Sequence, residues 1–202
     1  MKRLIPLSLI AIVSLSGCTL LNSSTETTES ANQEADSLVA SNDEAEGSDS
    51  SEPDGVVLVS TDGSSQLTIP EDWSETTDLN DVAILQAANP VKEQYVIVIQ
   101  DSKEDFTDAN LEYHSEVTAE LLIEGLTSPE VTEPRSLTIN NYPALQKEIS
   151  GAFDNINVVY LHTSIETPTH FYQVLTWSLK SRFEGNRSTF EQVTQSFREA
   201  DS

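Results

Sequence analysis

LQKEISGAFDNINVVYLHTSIETPTHFYQVLTWSL, residues 145–179, is the stretch that decides the fold class. It holds three runs rich in β-branched and aromatic residues, 145–151, 156–165 and 171–179. Asp154-Asn155 and Thr167-Pro168 separate them, and these are residue types that close tight turns. The reading is an antiparallel meander. With Ile165 facing His170 across the second turn, the alternation of side chains sends His162 and His170 to opposite faces. Two histidines on opposite faces cannot ligate one zinc ion, so no metal site is assigned.

More strands precede the meander. Val56-Val57-Leu58-Val59 is a short strand, Asp62-Gly63 a turn, and 66–69 a second strand alternating with period two. Pro70-Glu71-Asp72-Trp73 breaks it. Strands are expected over 82–88 and 95–100, joined by a loop at 89–93. Val96-Ile97-Val98-Ile99 is apolar on both parities, which predicts a strand covered on both faces. Residues 131–139 read as one strand, with Pro134 marking an edge or a bulge. Asn140-Asn141-Tyr142-Pro143 then turns into the meander.

Two helices stand out. Over 107–126, Leu111, Val117, Thr118, Leu121, Leu122 and Leu126 gather on one side of a 100° wheel, and His114 falls with them as a core histidine. Asp108, Glu112, Glu116, Glu120 and Glu124 recur every four residues on the other side, and Ile123 projects among them. Like charges at that spacing cost roughly 0.2–0.5 kcal/mol per pair in an isolated helix. The line is either a solvated outer face or a docking stripe for a basic partner. Ser188-Thr189-Phe190-Glu191 has the form of a capping box, opening a last helix with Phe190, Val193 and Phe197 inward. Residues 181–184 are read as one extra turn before it.

The chain begins differently. Met1-Lys2-Arg3 precedes a predominantly apolar run of a dozen residues, 4–15. At about 1.5 Å per residue that run falls short of a roughly 30 Å hydrocarbon core. It fits the apolar region of a secretory signal. Leu15-Ser16-Gly17-Cys18 follows and resembles the bacterial lipobox. The resemblance implies a diacylglyceryl group on the Cys18 sulfur and cleavage before it. Residues 1–17 are thus expected to be a lipoprotein signal peptide. Cys18 is the only cysteine, so no intrachain disulfide can form. Thr19 stands where an aspartate commonly holds lipoproteins at the inner membrane. This favours the outer membrane where one exists, or a plasma or thylakoid membrane in a photosynthetic cell.

Residues 19–54 contain ten acids and no aromatic, Lys or Arg. Such a segment cannot bury enough apolar surface to offset the entropy of ordering, so 18–54 is expected to be a disordered acidic tether. Its 36-residue coil reaches about 30–36 Å root-mean-square. Asn42-x-Glu44-x-Glu46-Gly47 imitates the start of an EF-hand loop, but Pro53 occupies the twelfth position, where a bidentate Glu belongs. The domain is then 55–202.

The formal charge is −24, and loss of Lys2 and Arg3 with the signal leaves −26. This excludes nucleic acid as a partner, since phosphate binding needs Lys and Arg, and favours a basic one. No G-x-S-x-G, H-E-x-x-H, P-loop or G-x-G-x-x-G motif occurs, and no catalytic residue, metal or cofactor is assigned. Trp73 and Trp177 are either core aromatics or the lining of a ligand pocket.

In order along the chain, Ile69-Pro70-x-x-Trp73, the long central helix, Tyr142-Pro143-Ala144, Trp177-Ser178 and Ser196-Phe197 resemble the landmarks of the PsbP-like family. That family includes extrinsic photosystem subunits, bacterial lipoproteins and nuclear Ran-binding Mog-type proteins. Asn141 departs from the glycine frequent before Tyr-Pro-Ala. The resemblance implies an α+β fold, with an antiparallel sheet between helical layers in an α/β/α sandwich. It also implies binding or assembly more than catalysis. The leading expectation is a lipid-anchored protein that docks a protein partner outside the cytoplasm. The alternatives are an enzyme with an unrecognised site and a carrier of a small apolar ligand or lipid.

Overall fold

The computed structural model describes residues 55–200. The signal segment, Cys18 and the acidic tether lie outside the described residues. In chain order the strands are β1 (Val56–Val59), β2 (Ser65–Ile69), β3 (Ser74–Glu75), β4 (Leu85–Asn89) and β5 (Gln94–Ser102). After helix α1 (Leu111–Glu124) come β6 (Thr127–Val131), β7 (Arg135–Ile139), β8 (Tyr142–Phe153), β9 (Ile156–Glu166) and β10 (His170–Leu179). Helix α2 (Phe183–Gln195) and β11 (Arg198–Glu199) close the domain.

The meander forms as expected and provides the centre of an eight-stranded antiparallel sheet, ordered β3-β4-β5-β10-β9-β8-β6, with β7 also paired to β8. One register differs. Tyr172, not His170, faces Ile165, because the turn closes over 167–170, where Thr167 N–H donates to the His170 carbonyl at 2.9 Å. The partner changes by two positions, so the faces are unchanged and His162 and His170 do point apart. Asn140-Asn141 and Asp154-Asn155 all have positive φ, between 45° and 70°. This is the twist a two-residue hairpin needs. Asn141 therefore fills a left-handed position that glycine also suits, and Tyr142-Pro143 already belongs to β8.

Four other expectations shift, each for a local reason. The strand expected over 82–88 starts at Leu85, because the Gln86 side chain holds the preceding loop. Its Oε1 accepts from the Leu79 and Asn80 N–H groups at 2.9 and 3.1 Å, and its Nε2 donates to the Asn80 carbonyl at 2.8 Å. The single strand over 131–139 is two, β6 and β7, which pair with successive parts of β8 on either side of Pro134. Helix α1 starts at Leu111, where Asn110 Oδ1 accepts the Tyr113 N–H at 2.9 Å. Asp108, at φ 60°, therefore lies outside the helix. Helix α2 starts at Phe183, so Ser188 is interior and caps nothing. Burial of the Phe183 ring, 5.9 Å from Phe190, draws the preceding turn into the helix.

Each face of the large sheet has its own core. On one side Val96, Val98, Leu161 and Val174 meet Phe183, Phe190, Val193 and Phe197 of α2 and its end. Leu58, Leu67 and Ile69 of a second, three-stranded sheet, β1-β2-β11, join them. Ser196 fastens this layer, its Oγ accepting the Thr68 N–H at 2.9 Å. Trp73 sits here, buried, its Nε1–H donating to Gln94 at 3.0 Å. On the other side Ile97, Ile149, Tyr160 and Leu175 meet Ala119 and Leu122 of α1. Both faces of β5 are covered, as its composition requires.

Polar groups also hold α1 to the sheet. His114 Nε2–H donates to Asp101 at 3.1 Å, and its ring stacks on Phe171 at 4.8 Å. Thr118 gives its one hydroxyl hydrogen to the His114 carbonyl at 2.7 Å, so at 3.0 Å it can only accept from His162 Nε2–H. Both rings thus present a bare Nδ1, and neither Nδ1 has a partner among the described residues. Burial pushes the His162 pKa down from 6.5 to about 3, helped by the charge of Lys147 and by His114. The unfolded chain takes up this proton near pH 6.5 and the folded chain only near 3, so stability is lost as pH falls through that window. Wild type is expected to lose about 2 kcal/mol more than His162→Gln between pH 7 and 5, from about 1.4 kcal/mol per unit below 6.5. Denaturant midpoints at the two pH values check this, and parallel losses contradict it.

Candidate functional site

Glu112, Glu116, Glu120 and Glu124 are exposed along one line of α1. None forms an ion pair with any described residue. Other basic side chains of the domain are paired elsewhere: Lys92 with Asp72, Lys103 with Glu166, Arg135 with Glu191, Lys180 with Glu130, Arg182 with Glu93, and Arg187 with Glu148 and Glu184. Lys147 reaches α1 but donates to the Ser115 carbonyl, at 3.4 Å. Two of the candidates expected to join the line do not. Asp108 is off the helix. Ile123 is half-buried against the second core.

Ile123 turns inward because α1 is rolled by roughly 40° from the wheel reading. Its buried side is Leu111, His114, Ser115, Ala119 and Leu122. The small Ser115 and Ala119 permit close approach to the sheet, and the two histidines need polar partners beneath. The roll leaves Leu121 at 38% and Tyr113 at 52% exposure, with Val117 half-buried between them. The outer side of α1 is therefore an acidic line beside an apolar one.

A second surface was not legible in the sequence. Trp177 lies opposite Tyr95 on β5 and opposite Tyr160 on β9. The rings of Tyr95 and Trp177 stack at 5.3 Å and 17°, and Tyr160 follows at 5.8 Å. By register these three residues share the α1 face of the sheet. α1 lies mainly over β8 and β9, from His114, stacked on Phe171 of β10, to Leu126 just past the helix, packed over Gly151 of β8, where a Cβ would come within 3.0 Å of the Leu126 Cβ. With 14 residues α1 spans about 21 Å, while the 10 to 12 residues of β8, β9 and β10 span about 33–40 Å. Tyr160, 4% exposed, lies under the helix, and Trp177 and Tyr95 lie beside its C-terminal part. Beyond it Leu179 and Ile156 border an open depression of about 400 Å³, lined also by Asn157, Lys180 and Ser181. Ile156 is 43% exposed, and Trp177, Tyr95, Leu126 and Leu179 are only partly buried.

Burial raises the Tyr160 phenol to about 12, and burial together with the nearby Glu93 charge raises that of Tyr95. Both are neutral hydrogen-bonding groups at any ordinary pH. The two tryptophans thus divide: Trp73 is core, and Trp177 is surface lining. His170 sits on the far face with Thr169 and Glu199, and among the described residues no group of three or more His, Cys, Asp or Glu is placed to hold a metal. No described helix is long and apolar enough to cross a membrane.

No protein-family model matches the chain, and no curated protein matches it in sequence. Solved structures do match in shape. Cyanobacterial PsbP (CyanoP) from Synechocystis sp. PCC 6803 aligns with a TM-score of 0.53 and 13% identity, over 72% of this chain and 92% of its own. LpqN of Mycobacterium tuberculosis aligns at 0.55 and 11% identity, over 72% and 90%. A single-site mutant of the protein Mog1 aligns at 0.51 and 11% identity, over 73% and 96%. At these identities the likeness concerns architecture alone: residues 55–200 form an antiparallel α+β domain of the PsbP/Mog1-like fold.

Proposed function

We propose that this chain is a lipid-anchored, extracytoplasmic docking protein that is tethered through Cys18 and presents α1 to a basic protein partner. The observation that carries the reading is the line Glu112, Glu116, Glu120 and Glu124, four exposed carboxylates at one-turn spacing, none of them in an ion pair with a described residue. Such a line works against the helix that bears it. A partner's Lys or Arg side chains would relieve that repulsion, and a field of one sign also speeds and orients encounter. The anchor rests on the lipobox spacing of Leu15-Ser16-Gly17-Cys18, and the acidic tether gives the domain reach above a membrane. LpqN is described as involved in cell envelope biogenesis, which agrees with an exported role. Lipid anchoring would place the protein at the outer membrane where one exists, or at a plasma or thylakoid membrane. Catalysis draws no support from the depression, which is open and holds one titratable side chain, Lys180.

Cys18→Ser is expected to remove the acyl mass and release the protein from the membrane fraction; a membrane-bound serine variant contradicts the anchor. Changing Glu112, Glu116 and Glu120 together to Gln is expected to cut crosslinked partner recovery from membranes by about tenfold. The same change should raise thermal stability, since like-charge neighbours are removed. Unchanged recovery from the stabilised variant contradicts the docking role.

A further inference from the structure

The part of the sheet beside α1, on β5 and β10, has the chemistry of a second contact surface. Tyr95 and Trp177 form a partly exposed stacked pair there, backed by the buried Tyr160 of β9 and continued by Leu126, Leu179 and Ile156. The Trp177 Nε1–H and the Tyr95 hydroxyl make no hydrogen bond with any described residue. Aromatic side chains with an apolar body and a free polar tip are typical anchors of protein contacts.

The electrostatics at this end select the occupant. The C-terminus of α1 lies at this end of the sheet, with Leu126 over Gly151, and no basic residue stands in its last turn. A helix C-terminus carries about half a negative charge. Glu124 adds a full one, unpaired. Lys180 and Arg182 stand close by in sequence, but each already faces a carboxylate, Glu130 at 3.3 Å and Glu93 at 2.9 Å. Asp154 adds another negative group at the β8–β9 turn. A cation is thus the charge that fits, and the rings of Tyr95 and Trp177 are surfaces on which a guanidinium or ammonium gains cation–π stabilisation.

We infer that this partly exposed sheet surface beside α1 docks an apolar segment of a protein partner that carries Arg or Lys, the cation lying on the Tyr95–Trp177 pair against the C-terminus of α1 and the apolar side chains on Leu126, Leu179 and Ile156. The inference rests on the reading of a basic protein partner and adds where its segment binds. Arg or Lys N–H groups donate to the Tyr95 oxygen, and Trp177 Nε1–H donates to a main-chain carbonyl of the segment. The acidic line of α1 then steers the partner in, and the aromatic row holds it.

The test uses the full-length chain with a photo-crosslinking phenylalanine analogue at Tyr95, at Ile156, at Glu116 on the outer side of α1, or at Val57 on the opposite face. Three synthetic peptides serve as probes: Arg alternating with Leu, Glu alternating with Leu, and Arg alternating with Ser. The expected result is crosslinking of the Arg–Leu peptide from positions 95 and 156 in strong excess over position 57. The other two peptides should crosslink at least about tenfold less, because each lacks one half of the contact. Ile156→Lys, a change at an exposed position that leaves the core intact, and Trp177→Leu should each weaken binding by about tenfold. Equal crosslinking of the Glu–Leu peptide overturns the cationic assignment. Crosslinking from position 116 that is indifferent to both substitutions overturns the sheet-end site and leaves the acidic line as the docking surface. No crosslinking of any basic peptide overturns both readings together.

Discussion

A helix advances about 1.5 Å per residue and a strand about 3.3 Å, and this disproportion shapes the molecule. The three longest strands are β8, β9 and β10, and neither helix can span them. On one face the shortfall is made up by the small sheet β1-β2-β11 and by Trp73. On the other face only α1 and the loop held by Gln86 contribute cover. Beside the helix, Tyr95 and Trp177 stay partly exposed, and neither polar tip has a hydrogen-bond partner among the described residues. The two faces thus differ: one is closed over its core, and the other leaves Tyr95 and Trp177 partly exposed.

The docking of α1 shows how polar and apolar requirements combine. Ser115 and Ala119 bring the helix close to the sheet. His114 and His162 then need partners, which Asp101 and Thr118 supply, while their second ring nitrogens stay bare. This arrangement fixes the helix's rotation. It turns Ile123 inward and leaves Leu121 half outside, so the outer side carries carboxylates next to apolar side chains. The unpaired glutamates and the bare imidazole nitrogens both cost stability in the free protein. Only the glutamates can be relieved by a partner, because the histidines are sealed within the domain.

The antiparallel sheet could be read directly from residues 145–179, where turn residues punctuate β-branched runs, and from the two-sided apolar run in β5. The fold followed from the order of short landmarks such as Ile69-Pro70 and Ser196-Phe197, which are buried and hydrogen-bonded at the β2–α2 junction. The boundaries of α1 and α2 were less legible. Asn110 caps through a side-chain bond that composition does not single out, and Phe183 extends α2 through burial against a ring seven residues away. The rotation of α1 escapes the wheel, which weighs leucines over the small residues that set closeness. The aromatic row was invisible for a topological reason. Tyr95, Tyr160 and Trp177 meet only through the pairing of β5 and β9 with β10, and β5 and β10 are separated by a helix and four strands. The acidic line needed no tertiary information, since its period alone places it on one side of a helix.

The central claim is that Trp177 stays partly exposed beside α1 while Trp73 is sealed beneath α2. The sequence contains only these two tryptophans, so each can be observed alone in the full-length chain. Acrylamide quenching of the Trp73→Phe variant reports Trp177, and that of Trp177→Phe reports Trp73. The account predicts a quenching constant several-fold larger for Trp177, with emission shifted to the red of Trp73. Equal shielding of the two indoles would contradict it, because the sheet would then be covered to its end and the surface described here would not exist.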